Sequence, residues 1–91
     1  MFDLFGKSHT MAIASAFAGS SDPWRFNELK GALEISQTTL STRLDDLLEE
    51  NLITRRAYDE MPPRVEYEAT AKLNAAEPVI QDLVAWWRGD W

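Results

Sequence analysis

The chain has 91 residues and a mass of 10.4 kDa, the size of one domain, and we predict a single domain over residues 1–91. It contains no cysteine, which excludes disulfides, thiolate zinc sites and thiol-based redox sensing. Fifteen acidic against nine basic residues give a net charge of −6, which by itself argues against a nucleic-acid partner.

Three helices are predicted in the first half of the chain. Apolar residues at helical spacing indicate a short buried helix over 9–18 and a second helix over about 25–33. Ser36 is a suitable N-cap for a third helix, and Asn51 stands where that helix would end in the left-handed conformation. The apolar stripe of the third helix consists of Leu40, Leu44, Leu47 and Leu48.

Two strand-like segments follow, at 52–58 and 64–69, both rich in β-branched and aromatic residues. The acidic and proline-containing segment 59–63 joins them, which predicts a β-hairpin with a stiff tip.

The helical period returns from about 71 to 90. Asn74 and Glu77 have the spacing of a capping box, which would begin a helix there and place Pro78 in its first turn. If the helix begins earlier instead, near Ala71, we expect Pro78 to kink it.

The order of elements is that of a winged helix-turn-helix, an α+β fold that is mainly α. The helix-turn-helix would cover about 25–50, a two-stranded wing about 52–70, and a long C-terminal dimerisation helix about 71–90.

Three segments carry a resemblance to a known family: residues 25–29, 35–44 and 62–67. In this order and spacing they resemble the HxlR-type winged helix-turn-helix transcriptional regulators of archaea and bacteria, relatives of the MarR group. The resemblance implies a homodimeric, sequence-specific DNA-binding regulator without cofactor. Many family members carry an N-terminal redox cysteine, and this chain has none.

The third helix is predicted to read DNA. Six of the seven residues over 36–42 carry a hydroxyl or an amide, a composition that helix propensity does not favour but that suits base edges and phosphates. The alternative is an ordinary solvated helix face. The predicted DNA contacts of this helix are Ser36, Gln37, Thr38, Thr39, Ser41, Thr42 and Arg43.

Four further basic residues are predicted to contact phosphates. Arg25 and Lys30 flank the second helix, and Arg56 and Arg64 share one side of the wing if the strands alternate regularly. The wing carries as many acids as bases, so cross-strand ion pairing, with Glu66 or Glu68, is the alternative role of its arginines.

The C-terminal helix is predicted to form a dimer interface. Three tryptophans among its last six residues exceed what the core of one small chain can cover, although packing onto that core is the alternative. The predicted interface residues are Leu4, Phe5, Val79, Ile80, Leu83, Val84, Trp86, Trp87 and Trp91.

The residues give little support to catalysis or metal binding. His9 is the one histidine, and the acidic residues of the third helix are more typical of a solvated face than of a cation site. We therefore predict that the protein is not an enzyme and holds no metal.

Two functions follow from these observations. The first is a homodimeric transcriptional regulator that binds a pseudo-palindromic site in double-stranded DNA, with half-sites about 10–10.5 bp apart. The alternative is an acidic winged-helix module that binds protein and not DNA, which the charge of −6 favours. The excess of acids with only three lysines also fits a protein from a high-salt cytosol.

The sequence shows neither a signal peptide nor an apolar run long enough to span a bilayer, so a cytoplasmic location without membrane contact is expected. It leaves open a small effector between the subunits.

Overall fold

Three helices form the first half of the computed structural model, which describes residues 9–89: α1 (Thr10–Ala18), α2 (Phe26–Leu33) and α3 (Gln37–Glu49). The connection between α2 and α3 is tight because Glu34 adopts the left-handed conformation, with φ of 53°. Ser36 Oγ accepts a hydrogen bond from the backbone N–H of Thr39 at 3.2 Å, which confirms the predicted N-cap.

A three-stranded antiparallel sheet contains the predicted hairpin. Strands β2 (Ile53–Tyr58) and β3 (Arg64–Ala69) pair along their whole length, and a two-residue strand β1 (Trp24–Arg25) pairs with the other side of β3. The sheet order is therefore β1-β3-β2, and the start of α2 is attached to the wing. Asn51, in the turn before β2, is left-handed with φ of 59°, as predicted.

The C-terminal region consists of two helices, α4 (Ala71–Ala75) and α5 (Glu77–Trp87), interrupted at Ala76. The capping box predicted for Asn74 and Glu77 is wrong, because Thr70 caps α4 and Ala76 occupies the N-cap position of α5 without a side-chain bond. A helix does begin at Ala71, as the alternative predicted, but it ends at Ala75, and Pro78 lies in the first turn of α5, as the first prediction had it. Pro78 has no N–H to continue the helix, and its ring would collide with the carbonyl of Asn74.

The core lies between the helices and the inner face of the sheet. Among residues 9–89, thirteen apolar side chains are buried in it, and the largest fully buried ones are Phe17, Ile13, Leu29, Leu40, Leu44, Leu47, Ile53 and Leu73. The structure corrects the prediction that Ile80 belongs to a dimer interface, because this side chain is 5% exposed and packs within its own chain. No helix over residues 9–89 is long and apolar enough to span a bilayer.

Candidate nucleic-acid interface

The N-terminal half of α3 presents an uncharged polar face to solvent. Gln37, Thr38 and Ser41 are exposed, and their side chains form no hydrogen bond with any residue in the described range 9–89. Because successive helix residues are about 100° apart, these three positions lie within one 100° sector. The donors and acceptors of this face are therefore available to an external partner.

Three other predicted contacts on α3 use their hydroxyls inside the helix. Ser36 Oγ donates to Thr39 Oγ1 at 2.9 Å in addition to capping the helix, and Thr42 Oγ1 donates to the carbonyl of Thr38 at 2.9 Å. The hydroxyl protons of Ser36 and Thr42 are thus engaged, and Thr39 Oγ1 accepts a bond, although Ser36 and Thr42 remain exposed. These residues shape the helix end that carries Gln37 and Ser41.

Arg43 is turned away from that polar face. Its Nη1 lies 3.2 Å from the carboxylate of Asp46, and the side chain is 17% exposed. The i, i+3 spacing of an arginine and an aspartate is the sequence signal for this pair. The structure therefore does not present Arg43 as a phosphate ligand.

The wing strands place Arg56, Arg64, Glu66 and Glu68 on one face. Residues that stand opposite each other in antiparallel strands share a face, so Arg56 lies beside Glu66 and Tyr58 beside Arg64. The guanidinium of Arg64 stacks over the Tyr58 ring at 4.0 Å, with its Nη2 3.2 Å from Glu60 and its Nε 4.0 Å from Glu66. Arg64 thus pairs with acids of the wing, as the alternative predicted, but Glu60 lies in the tip and Glu66 on the same strand, so neither pair crosses between the strands.

Three predicted phosphate ligands keep accessible positive charge. Arg25 and Arg56 are exposed and both stand opposite Glu66 in the sheet, while Lys30 is half-buried on α2. A hydrogen bond with the Tyr58 oxygen raises the pKa of Arg56, whose guanidinium is charged at physiological pH in any case. Arg55, which was not among the predicted sites, is exposed on the opposite face of the wing, as strand alternation requires.

A groove separates the start of α2 from the tip of the wing. Its lining is half apolar and half polar or charged, and it brings the predicted phosphate ligand Arg25 near the paired Arg64, which places the wing tip beside the N-terminus of the helix-turn-helix. The residues that line it are Arg25, Phe26, Asn27, Glu60, Pro62, Pro63, Arg64 and Val65.

An apolar surface covers the outer side of α5. Trp87 is 82% exposed and Val79 is 68% exposed, with Leu83 and Trp86 also open to solvent. An apolar groove between α1 and α5 is lined by Met11, Leu83, Val84, Trp86, Trp87 and Arg88, and of these Met11 and Arg88 were not predicted as interface residues. The predicted interface residues Leu4, Phe5 and Trp91 lie outside the described residues.

The structure brings no set of metal ligands together in the part of the chain it describes. Among residues 9–89, no group of three or more His, Asp or Glu side chains is arranged to hold an ion. His9 is exposed at the start of α1, where its side chain makes no capping bond.

Comparisons with known proteins agree with this geometry. Residues 5–90 match the family described as HxlR-like helix-turn-helix. The chain is 36% identical over 84 residues to the HTH-type transcriptional regulator BH0655 of Halalkalibacterium halodurans, covering 91% of this chain and 74% of that protein. It is also 35% identical to the regulator YkvN of Bacillus subtilis over 70% of this chain, but that match spans only 55% of YkvN.

A solved structure of the same class is that of reduced YodB, a transcriptional regulator from B. subtilis. The two chains are 32% identical and superpose with a TM-score of 0.80, over 93% of this chain and 82% of YodB.

Proposed function

This chain belongs to the family of HxlR-like helix-turn-helix proteins, and we infer from this membership that it is a homodimeric transcriptional regulator that binds DNA sequence-specifically. Regulators of this kind act by binding, so we propose no catalytic activity and no cofactor. The proposed site of action is the cytoplasm. The family match favours this function over the acidic protein-binding module.

One observation within the chain carries the proposal: the first two turns of α3 expose an uncharged row of hydrogen-bonding side chains. A recognition helix enters the major groove with its N-terminal residues. Gln37 can bond an adenine edge in a bidentate manner, and the hydroxyls of Thr38 and Ser41 can bond several base edges. We propose these three residues as the principal base contacts, with Ser36, Thr39 and Thr42 at the helix end as supporting contacts.

The acids of α3 stand at its other end and fit this orientation. Asp45 and Glu49 are exposed on the C-terminal half of the helix, where they would repel phosphates. This charge distribution favours an orientation in which the uncharged N-terminal end of α3 lies in the major groove and its acidic C-terminal end points away from the DNA. Arg25, Lys30 and Arg56 then serve as the proposed phosphate ligands.

The apolar surface of α5 supports the dimer. Large exposed apolar patches mark interaction sites, and a two-fold axis brings the same patch of two copies together. The proposed interface consists of Val79, Leu83, Val84, Trp86 and Trp87, with Met11 at its edge. Leu4, Phe5 and Trp91 remain proposed members of it. Two recognition helices related by this axis would occupy successive major grooves of a pseudo-palindromic site.

The test compares two variants of the same helix. DNA is first selected from a random pool by the wild-type protein, and binding to that duplex is measured for Thr38→Ala with Ser41→Ala. We expect this variant to melt like the wild type, because both side chains are exposed and unbonded, and to lose at least about 30-fold in affinity, since two base contacts worth ~1–3 kcal/mol each are removed from every half-site.

The matched control is Glu34→Gln, which alters an exposed residue just before the helix. Its affinity should equal or slightly exceed that of the wild type because a carboxylate near DNA is removed. A folded Thr38→Ala, Ser41→Ala protein that binds the selected duplex with wild-type affinity would refute the assignment of the recognition surface.

A further inference from the structure

The tip of the wing is an exposed apolar projection. Met61 is 95% exposed, and Pro62 and Pro63 beside it are also exposed. None of the three side chains belongs to the core or packs against it. The apolar side chains of the tip therefore do not stabilise the hydrophobic core of the described residues.

The wing tip also lacks a free positive charge. Arg64 is the one basic residue between 57 and 65, and its guanidinium is held between Tyr58, Glu60 and Glu66. Asp59, which is exposed, adds a negative charge at the tip. The tip therefore has no free cation to attract phosphates, so we attribute any contribution of the tip to binding to its apolar side chains.

We propose that Met61 and Pro62 form an apolar wedge that enters the minor groove and partly opens a base step, bending the DNA at each half-site. This inference rests on the proposed DNA-binding function and adds to it a second, minor-groove contact without basic residues. Methionine and proline are among the side chains that minor-groove proteins insert between base steps. The energetic gain is apolar burial and a larger contact surface, which does not require charge.

The dimensions of the wing are consistent with this contact. Its strands have six residues each, so the hairpin extends about 20 Å at ~3.3 Å per residue. Adjacent major and minor grooves are about half a helical turn apart, ~17 Å along the axis. Arg25 and the wing tip line the same groove of the protein. If the wing tip enters the minor groove, the DNA backbone between the minor and major grooves would lie beside Arg25, which is exposed and charged.

The first test measures DNA bending by energy transfer. The wild-type protein selects a 30-bp duplex (roughly three turns at ~10.5 bp each) from a random pool, and the ends of this duplex are labelled with a donor and an acceptor dye. We expect energy transfer to rise on binding of the wild type and of Met61→Leu, which keeps an apolar side chain of similar size. Met61→Gln should bind with about tenfold lower affinity and leave the duplex nearly straight. Melting temperatures should be the same for all three, because Met61 does not contact the core.

The second test separates minor-groove from major-groove contact. Base pairs of the selected site that lie under the wing are changed from A·T to G·C or to inosine·C, which resembles G·C in the major groove but lacks the minor-groove amino group. A wedge in the minor groove predicts that inosine·C is tolerated and that G·C lowers the affinity. With Met61→Gln, the three duplexes should bind equally.

The variant Asp59→Asn tests whether the wing tip lies close to DNA. If the tip lies against DNA, removing this carboxylate should raise the affinity about threefold at low salt, because repulsion from phosphate is relieved. Equal bending and affinity of Met61→Gln and the wild type would overturn the wedge while leaving the regulator function intact, provided that Thr38→Ala with Ser41→Ala still loses binding. Failure of the wild type to select any duplex would overturn both proposals.

Discussion

The salt dependence of DNA binding can be calculated from the ion pairs in the structure. The sequence predicts that five basic residues of each chain contact DNA. In the structure, however, Arg43 is paired with Asp46, and Arg64 is paired with Glu60 and Glu66. Three cations per subunit remain, which gives at most six phosphate contacts for a dimer. At ~0.9 per contact, the slope of log K against log salt should not exceed about 5, whereas ten contacts would give about 9.

The difference between the two slopes is large enough to measure. Raising potassium from 50 to 200 mM should lower the affinity by no more than about 10³-fold with six contacts, compared with about 10⁵-fold with ten. Glu66 stands beside Arg25 and Arg56, so the measured slope should fall below the upper limit. Near 1 M salt, where the Debye length is ~3 Å, repulsion between the −6 subunits and DNA is screened as well. A protein suited to a high-salt cytosol would then retain specific binding.

The assay is fluorescence anisotropy of a labelled, selected duplex over a potassium chloride series. Glu60→Gln is the matched variant, because it removes the carboxylate nearest to Arg64 without touching the core. Its slope should be steeper by up to about 2 per dimer, one released arginine per subunit. A wild-type slope near 9, or an unchanged slope for Glu60→Gln, would show that the internal ion pairs do not limit phosphate binding.

Two further predictions concern assembly and stability. Sedimentation of the wild type should give about twice the 10.4 kDa of one chain, and Leu83→Glu with Trp87→Glu should give a monomer or insoluble protein, because Trp87 is 82% exposed and its burial is worth up to ~5 kcal/mol. If this double variant still formed a stable dimer, we would conclude that the interface lies on the first helix and the residues before it. Ser36→Ala removes the cap of α3 and should lower stability by ~1 kcal/mol, a decrease of about 4–8 °C in the melting temperature, whereas Thr38→Ala should leave it unchanged. Equal melting temperatures for Ser36→Ala and the wild type would contradict the assigned cap.

Local patterns predicted the helix-turn-helix and the hairpin because each has its own periodicity and its own end signals. The cap at Ser36 and the left-handed Asn51 are examples in which one residue type determines the geometry. Strand β1 was not predicted, since two residues carry no periodic signal and their pairing with β3 is a tertiary contact. The left-handed Glu34 was also not predicted, because glutamate has no preference for that conformation.

For the candidate site, residue types could be read from the sequence, but the orientation of the side chains could not. Periodicity placed Ile80 on the same stripe as Leu83, yet one is buried and the other exposed, because the stripe is wider than the face that contacts the core. The arginines were identified as cations, while their partners depend on which acids the fold brings near. For Arg64 these acids are Glu60 in the wing tip and Glu66 on its own strand, whereas strand spacing had suggested an acid across the sheet.

The interruption at Ala76 has a consequence for the arrangement of two subunits on DNA. Helix α4 is fastened to the end of α3, since Thr70 Oγ1 donates to the carbonyl of Asn51 at 2.8 Å and Lys72 Nζ to that of Glu50 at 3.0 Å. Helix α5 is about 16 Å long, so a 20° change of direction at Ala76 would displace its far end by ~6 Å, close to two base-pair steps of ~3.4 Å. In the proposed dimer, a substitution at this bend would alter the spacing of the preferred half-sites without changing any residue that touches DNA.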